Sequence, residues 1–275
     1  MLPNPIFWNV HMYGVMIAVG LLAAFGVLFF YGKKMGLDES FLDFVFYDAI
    51  AAVVLGFGSA ALFQAIYDYI ENPANGFHIS GSITFIGGLI GGAAAFLILY
   101  ALFRKKLKNR LLDCISMLPC CILIAHGFGR IGCFFAGCCY GKETDCFLGV
   151  KFPNLPKPVH PTQLYEAAFL FLMFGLCSYL LLKKKFRHNM SVYLVSYGLF
   201  RFLIEFIRDD HRGALVGGIS PSQFWSLLMI AAGIGVYFFT EYLWKKRTAC
   251  PVSSEDKAEA AENTESKDND TNEQA

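Results

Sequence analysis

The sequence predicts an all-α integral membrane protein, a bundle of seven transmembrane helices with its N-terminus outside and its C-terminus in the cytoplasm. The first observation is composition: 275 residues at 56% hydrophobic, 16% charged and a mean hydropathy of +0.48 leave too little polar surface to coat a soluble globule. The second is pattern, because the apolar runs are of helical length with scattered glycine, whereas barrel strands would alternate apolar and polar residues over about 10 positions. The third is the gathering of basic residues at the ends of alternate runs.

Seven runs have the length a bilayer requires: 14–31, 47–70, 83–103, 111–128, 164–182, 191–207 and 222–243. The first follows an opening stretch without Lys or Arg, so no cleaved leader is expected and the run stays as a helix. The second is interrupted only by small and polar residues. The third contains Gly87, Gly88, Gly91 and Gly92, two overlapping small-xxx-small pairs that permit close helix contact. The fourth and sixth end in ionisable residues, His126 and Arg130 in one, Arg201, Glu205 and Arg208 in the other. Such groups are costly against lipid and are expected to face the bundle interior or a watery cavity. The fifth begins after Pro161, which sets a helix start, and the seventh ends before Lys245-Lys246-Arg247.

Orientation follows from Lys33–Lys34, from the basic residues between Arg104 and Arg110, from Lys183–Lys185 with Arg187, and from Lys245–Arg247. These are fourteen of the 23 basic residues, all after odd-numbered runs and hence at one face. The positive-inside rule makes that face cytoplasmic. Residues 1–247 are expected to form one membrane domain. Residues 248–275 carry eight acids against Lys257 and Lys267, almost without apolar residues, and read as a disordered cytoplasmic tail. No internal repeat of the kind common in transporters is evident.

With this topology three loops lie outside, 71–82, 130–163 and 208–221, and a site opens outward. Gly127-Phe128-Gly129-Arg130-Ile131-Gly132 is expected to join a helix end to an irregular stretch, projecting Arg130 from a glycine-flanked position. A planar, permanently charged guanidinium suits a phosphodiester, although an Arg at a membrane boundary also serves as a snorkelling anchor. Tyr197, Arg201, Glu205 and Arg208, spaced +4, +4 and +3, share one stripe of the sixth helix. That stripe is either a self-neutralising ion pair or a receptor for a lipid with an anionic head. His160-Pro161-Thr162-Gln163-Leu164-Tyr165-Glu166 reads equally as a structural junction or as a site wall. His126 lies one turn before Arg130, where a neutral imidazole takes a thiol proton or simply packs and bonds a helix-end carbonyl.

Gly129-Arg130-Ile131-Gly132, the segment from His160 to Glu166, the segment from Tyr197 to Arg208, Phe85-Ile86-Gly87-Gly88-Leu89-Ile90-Gly91 and Tyr13-Gly14 resemble successive motifs of the prolipoprotein diacylglyceryl transferase family. The resemblance runs from about Tyr13 to Gly233. It implies a bacterial multi-pass inner-membrane transferase of lipoprotein biosynthesis. That reaction moves the diacylglyceryl group of phosphatidylglycerol onto the lipobox cysteine thiol of a prolipoprotein signal peptide and releases glycerol phosphate. It implies no metal, no organic cofactor and no nucleic-acid partner. Arg130 matches the family's headgroup-binding arginine and Arg201 its second essential one. Glu205, Arg208, Tyr197 and Tyr13 fall at supporting headgroup positions, and His160, Gln163, Gly87 and Gly88 at positions read as site wall. The catalytic set expected is Arg130, Arg201 and His126. Two alternatives remain open, a transferase with another acceptor and a non-catalytic phospholipid-binding protein.

Departures from the family pattern cluster on the acceptor side. Ile86 stands at the family's histidine, Gly56-Phe57-Gly58-Ser59 where an Arg is usual, and Cys133, Ala136 and Cys138 at three polar positions. Cys114, Cys120, Cys121 and Cys177 read as small buried hydrophobes, and Cys250 as a bystander or an acylated thiol. Cys133, Cys138, Cys139 and Cys146 cluster outside. One or two disulfides bracing the loop are expected there; thiols lining the pocket are the alternative, and the C-x4-C-C-x6-C spacing matches no standard zinc pattern.

Overall fold

The computed structural model describes residues 11–73, 76–78, 84–109, 111–153, 155–208 and 220–249, with the side chains of Glu71, Phe85, Ile86, Arg247, Thr248 and Ala249 not among them. The acidic tail, Cys250 and most of the third outer loop lie outside that range. The chain forms α1 (Met12–Lys34), α2 (Glu39–Glu71), α3 (Phe85–Phe103), a short α4 (Leu111–Cys114), α5 (Leu118–Ala136), α6 (Thr162–Lys184), α7 (Asn189–Ile204) and α8 (Pro221–Ala249). Among the described residues there is no β-strand, only isolated bridges.

Six of these helices are long and apolar enough to cross a membrane: Met12–Lys34, Glu39–Ile70, Gly87–Lys106, Leu118–Ala136, Thr162–Lys184 and Pro221–Lys246. Their large side chains face outward, as Leu22, Ile70, Leu102 and Leu172 do. That is the pattern of a helix surface solvated by lipid, where burial of apolar groups in protein gives no hydrophobic gain. α7 is a shorter apolar helix of 16 residues. Its backbone continues through tight turns, with Ile207 N–H bonded to Ile204 O at 3.0 Å and Arg208 N–H to the same oxygen at 3.2 Å.

The fourth run differs from its expected bounds. The chain breaks at residues 115–117 and the long helix starts at Leu118, because Pro119 near its N-terminus lacks the N–H that a continuing helix would need. Its far end extends to Ala136, so Arg130 is inside a helix and not at the mouth of an irregular stretch. The glycines here serve packing instead of bending. A Cβ at Gly127 would meet the Phe171 ring at 2.8 Å, one at Gly132 would meet Tyr13 at 3.1 Å, and one at Gly20 on α1 would meet Ala125 O at 2.9 Å. Thus α5 lies tightly against both α1 and α6. α7 pairs with α8, and α2 with α3.

At the basic end, Asn189 at the start of α7 is fully buried, donating to Ser116 O at 3.1 Å and Cys177 O at 2.9 Å. It thereby satisfies the Ser116 carbonyl left open by the break before α5 and ties it to α6. Phe41, Leu42, Met117, Leu123 and Leu170 fill the core around it. Lys33 and Lys34 close α1, and Lys183 and Lys184 close α6, where cations complement the helix dipole. α5 through α8 bring their other ends together on the opposite side.

Candidate active site

His126 and Arg130 lie one turn apart on α5 and therefore on one face. They meet Glu166, in the second turn of α6, which is 0% exposed. Arg130 Nε lies 3.0 Å from Glu166 Oε1, the Tyr197 hydroxyl donates to the same oxygen at 2.6 Å, and His126 Nε2 is 3.7 Å from it. Arg130 Nε also donates to His126 Nε2 at 3.3 Å, and the imidazole stands edge-on to the Tyr197 ring at 5.2 Å. Glu166 Oε2 has no hydrogen-bond partner among the described residues. A carboxylate this deep is tenable only with such partners. Removing one member of a buried ion pair costs about 3–5 kcal/mol, since the other charge is left unpaired.

One turn beyond Tyr197, Arg201 Nη1 lies 2.9 Å from Glu205 Oε2, and Arg208 Nε lies 3.9 Å from the same oxygen. The Arg201–Glu205 contact is an ion pair by distance without the alignment of a hydrogen bond. α8 and the residue before it contribute two hydroxyls: Arg201 Nη2 bonds Ser222 Oγ at 3.1 Å, and Ser220 Oγ donates to Glu205 Oε1 at 2.9 Å. Arg208 itself lies past the helix, bridged to Gly141 of the loop 137–161. The expected stripe therefore holds together in space although α7 ends at Ile204.

Across the two clusters, three guanidiniums face two carboxylates among the described residues. The charges are mostly withdrawn from solvent. Donors fixed in this way by protein partners can receive an anionic group without reorganising.

The remaining expected residues fall into three places. Tyr13, near the start of α1, touches Gly132 and lies within electrostatic range of Arg130 and Cys133. His160 sits in the loop before α6 with Nδ1 3.2 Å from the Tyr165 hydroxyl, and its backbone pairs with Gly141 and Lys142. Gln163 is fully buried and donates to Cys138 O, a contact that anchors the loop. Gly87 and Gly88 lie in the α2–α3 contact, against Phe63 and Ala60. Cys133, Cys138, Cys139 and Cys146 are all unbridged, so the expected disulfides are absent from this structure. Glu166 was expected only as the end of a segment read as junction or site wall, and Ser220 and Ser222 were not expected as site residues. Glu166 did carry a signal, an acid inside an apolar helix; the serines carried none.

The family model described as prolipoprotein diacylglyceryl transferase matches residues 4–239. A Clostridium tetani protein named phosphatidylglycerol–prolipoprotein diacylglyceryl transferase is 38% identical, over 83% of this chain and 92% of its own length. A Clostridium perfringens protein of that name, numbered 2, is 32% identical over 87% and 94%, and one from Campylobacter curvus is 34% identical over 84% and 90%. With a match over nearly all of its helical part, the chain belongs to the prolipoprotein diacylglyceryl transferase family.

Proposed function

We propose that this protein transfers the diacylglyceryl group of phosphatidylglycerol to the lipobox cysteine thiol of prolipoproteins, the first step of bacterial lipoprotein maturation. Family membership supports the reaction. The observation that carries it to a site is the gathering of Arg130, Arg201 and Arg208, held by Glu166 and Glu205, at one end of the bundle. A non-catalytic binder or a different acceptor is not favoured by that family membership.

In this reading the acceptor sulfur attacks the glycerol carbon that carries the phosphate ester. A carbon–sulfur bond forms, the carbon–oxygen bond breaks, and the electron pair leaves on glycerol phosphate. Arg130 and Arg201 bind the phosphate and stabilise the charge on the departing oxygen, which fixed guanidiniums do best where water is excluded. Glu166 and Tyr197 hold Arg130 in place. Glu205 with Ser220 and Ser222 hold Arg201, Arg208 completes the cationic wall, and Tyr13 closes it from α1. His126, in contact with Arg130, takes the thiol proton and returns it to the leaving phosphate. His160 and Gln163 shape the loop beside the site, while Gly87 and Gly88 act through the close contact of α3 with α2.

The proposal includes the topology: a multi-pass protein of the inner membrane with seven spans, α7 with its turns being the sixth, the N-terminus outside and the acidic tail in the cytoplasm. Support comes from the position of the site at the bundle end opposite the lysine and arginine clusters. The test is reconstitution of the purified protein with phosphatidylglycerol and a synthetic lipobox peptide, followed by mass spectrometry of the peptide. A diacylglyceryl-sized gain on the cysteine, absent with Arg130→Ala, is expected. No gain from a folded preparation would overturn the reading.

A further inference from the structure

The three sulfurs of Cys133, Cys138 and Cys139 lie within 4.8 Å of one another, and the local backbone explains why. α5 ends with Gly137 in the left-handed region at φ 71°, its N–H bonded to Phe134 O at 3.1 Å while Cys138 N–H bonds Cys133 O at 3.2 Å. This pair of bonds is a Schellman motif, which places the second residue past the helix against the residue five before it. That contact is usually hydrophobic; here both positions are cysteine. Cys139 then adopts φ 64°, unusual for a residue with a Cβ, which turns the chain so that a third thiol joins the first two. Two fully buried side chains of α6 fix the turn: Thr162 donates to Cys139 O at 2.7 Å and Gln163 to Cys138 O.

From this arrangement we infer that Cys133, Cys138 and Cys139 form a binding site for a thiophilic divalent cation of the zinc class, held by three thiolates with one coordination position left open. Zinc–sulfur bonds of about 2.3 Å in a tetrahedral site put sulfurs about 3.8 Å apart, so the cluster needs only small side-chain rotations to close on the ion. Soft sulfur donors select such a cation over magnesium or calcium. Cys146, the fourth outer cysteine, is exposed and outside the cluster. The spacing failed to match a zinc motif because the ligands come from a helix-terminating turn and not from a paired C-x-x-C knuckle.

The inference is independent of the transfer reaction, and its readout is metal binding. The full-length protein, reduced, chelator-treated and with its thiols verified by intact mass, is titrated with Co(II) and then Zn(II). Saturable thiolate-to-cobalt charge-transfer and tetrahedral d–d bands at one Co(II) per chain, displaced by Zn(II), are expected. Cys133→Ser, Cys138→Ser and Cys139→Ser each weaken binding by at least about tenfold, and Cys146→Ser leaves it unchanged. The wild-type titration comes first, so that no folding defect confounds it. Absence of saturable Co(II) and Zn(II) binding to the reduced wild-type chain overturns the inference. So do bands that persist in the Cys133→Ser/Cys138→Ser/Cys139→Ser chain.

Discussion

The pair α2–α3 and the group α5–α8 are both helices packed in a membrane, yet they are joined by opposite chemistry. Between α2 and α3 the contact is made of small residues: Gly56 against Gly88 and Gly92, Gly88 against Ala60, and Ser59 Oγ donating to Gly87 O at 2.8 Å. Around them large apolar side chains such as Val54, Leu89, Ile90 and Leu97 point outward. In α5–α8 the contact at one end is instead an ionised network of Arg130, Glu166, Arg201, Glu205 and Arg208. The α2–α3 pair shows that this bundle can join helices by close backbone approach alone. Charges in the other half carry a desolvation cost that packing of the α2–α3 kind avoids, which is the contrast the proposed anion site accounts for.

The sharpest way to break that comparison is at the centre of the ionised network. Arg130→Ala is expected to lower transfer by on the order of 10³-fold, the upper range for loss of one fixed charge-stabilising donor. Glu166→Gln keeps the shape but leaves Arg130 without its counter-charge. It is expected to lower turnover comparably and to reduce the thermal midpoint as well, since a buried pair is broken. Both are read from initial rates with phosphatidylglycerol and lipobox peptide, alongside thermal unfolding. If Glu166→Gln kept wild-type turnover, the network would be structural, and the two regions would differ in chemistry without differing in role.

His126→Gln comes next, with an expected loss of about 10²-fold in kcat, typical for removal of a general base. The assay is repeated with a peptide analogue whose thiol is more acidic, and that analogue is expected to recover part of the loss. Unchanged kcat for both peptides would remove His126 from the proton path. Arg201→Lys is milder. The ammonium keeps the charge but cannot reproduce the fork that meets Glu205 and Ser222 together, so a drop of about tenfold in kcat/KM is expected, with most of it in KM for the lipid. A lysine variant indistinguishable from wild type would show that only net charge matters at that end of α7.

How much of this was legible in sequence depended on whether a feature is local. The α7 stripe was, because +4, +4 and +3 spacing survives the end of the helix: turns with i→i+3 bonds carry Arg208 far enough to reach Glu205. The pairing of His126 with Arg130 was legible for the same reason. The role of Glu166 was not, since its partners come from α5 and α7 and only packing brings them to one oxygen. The glycines around Arg130 misled in the opposite direction. In a soluble protein they would mark a bend, whereas here two of the three admit a neighbouring helix, Phe171 of α6 at Gly127 and Tyr13 of α1 at Gly132, and Gly129 faces open space. The outer cysteines were legible as a group but not which of them meet, because the approach of Cys133, Cys138 and Cys139 depends on two positive-φ residues, Gly137 and Cys139, that spacing does not announce.

The smallest effect on catalysis is expected where the family motif and the structure divide most, at Gly87. Sequence resemblance puts this glycine among the walls of the site, but its Cα faces Phe63 of α2, and an added Cβ would overlap the Phe63 Cβ and Cγ, the latter at 2.8 Å. These are atoms next to the backbone, so the ring cannot simply swing aside and α3 must move outward. Gly87→Ala is accordingly expected to destabilise the protein by about 1–3 kcal/mol, the cost of overpacking a close contact, and to leave kcat per folded molecule near wild type. Thermal unfolding in detergent and rates normalised to folded protein measure the two quantities separately. A large loss of kcat with an unchanged thermal midpoint would place Gly87 at the substrate and make α2–α3 part of the reacting cavity. The small-residue contact would then be serving close approach to a lipid, and the contrast between the two regions would be one of substrate against headgroup.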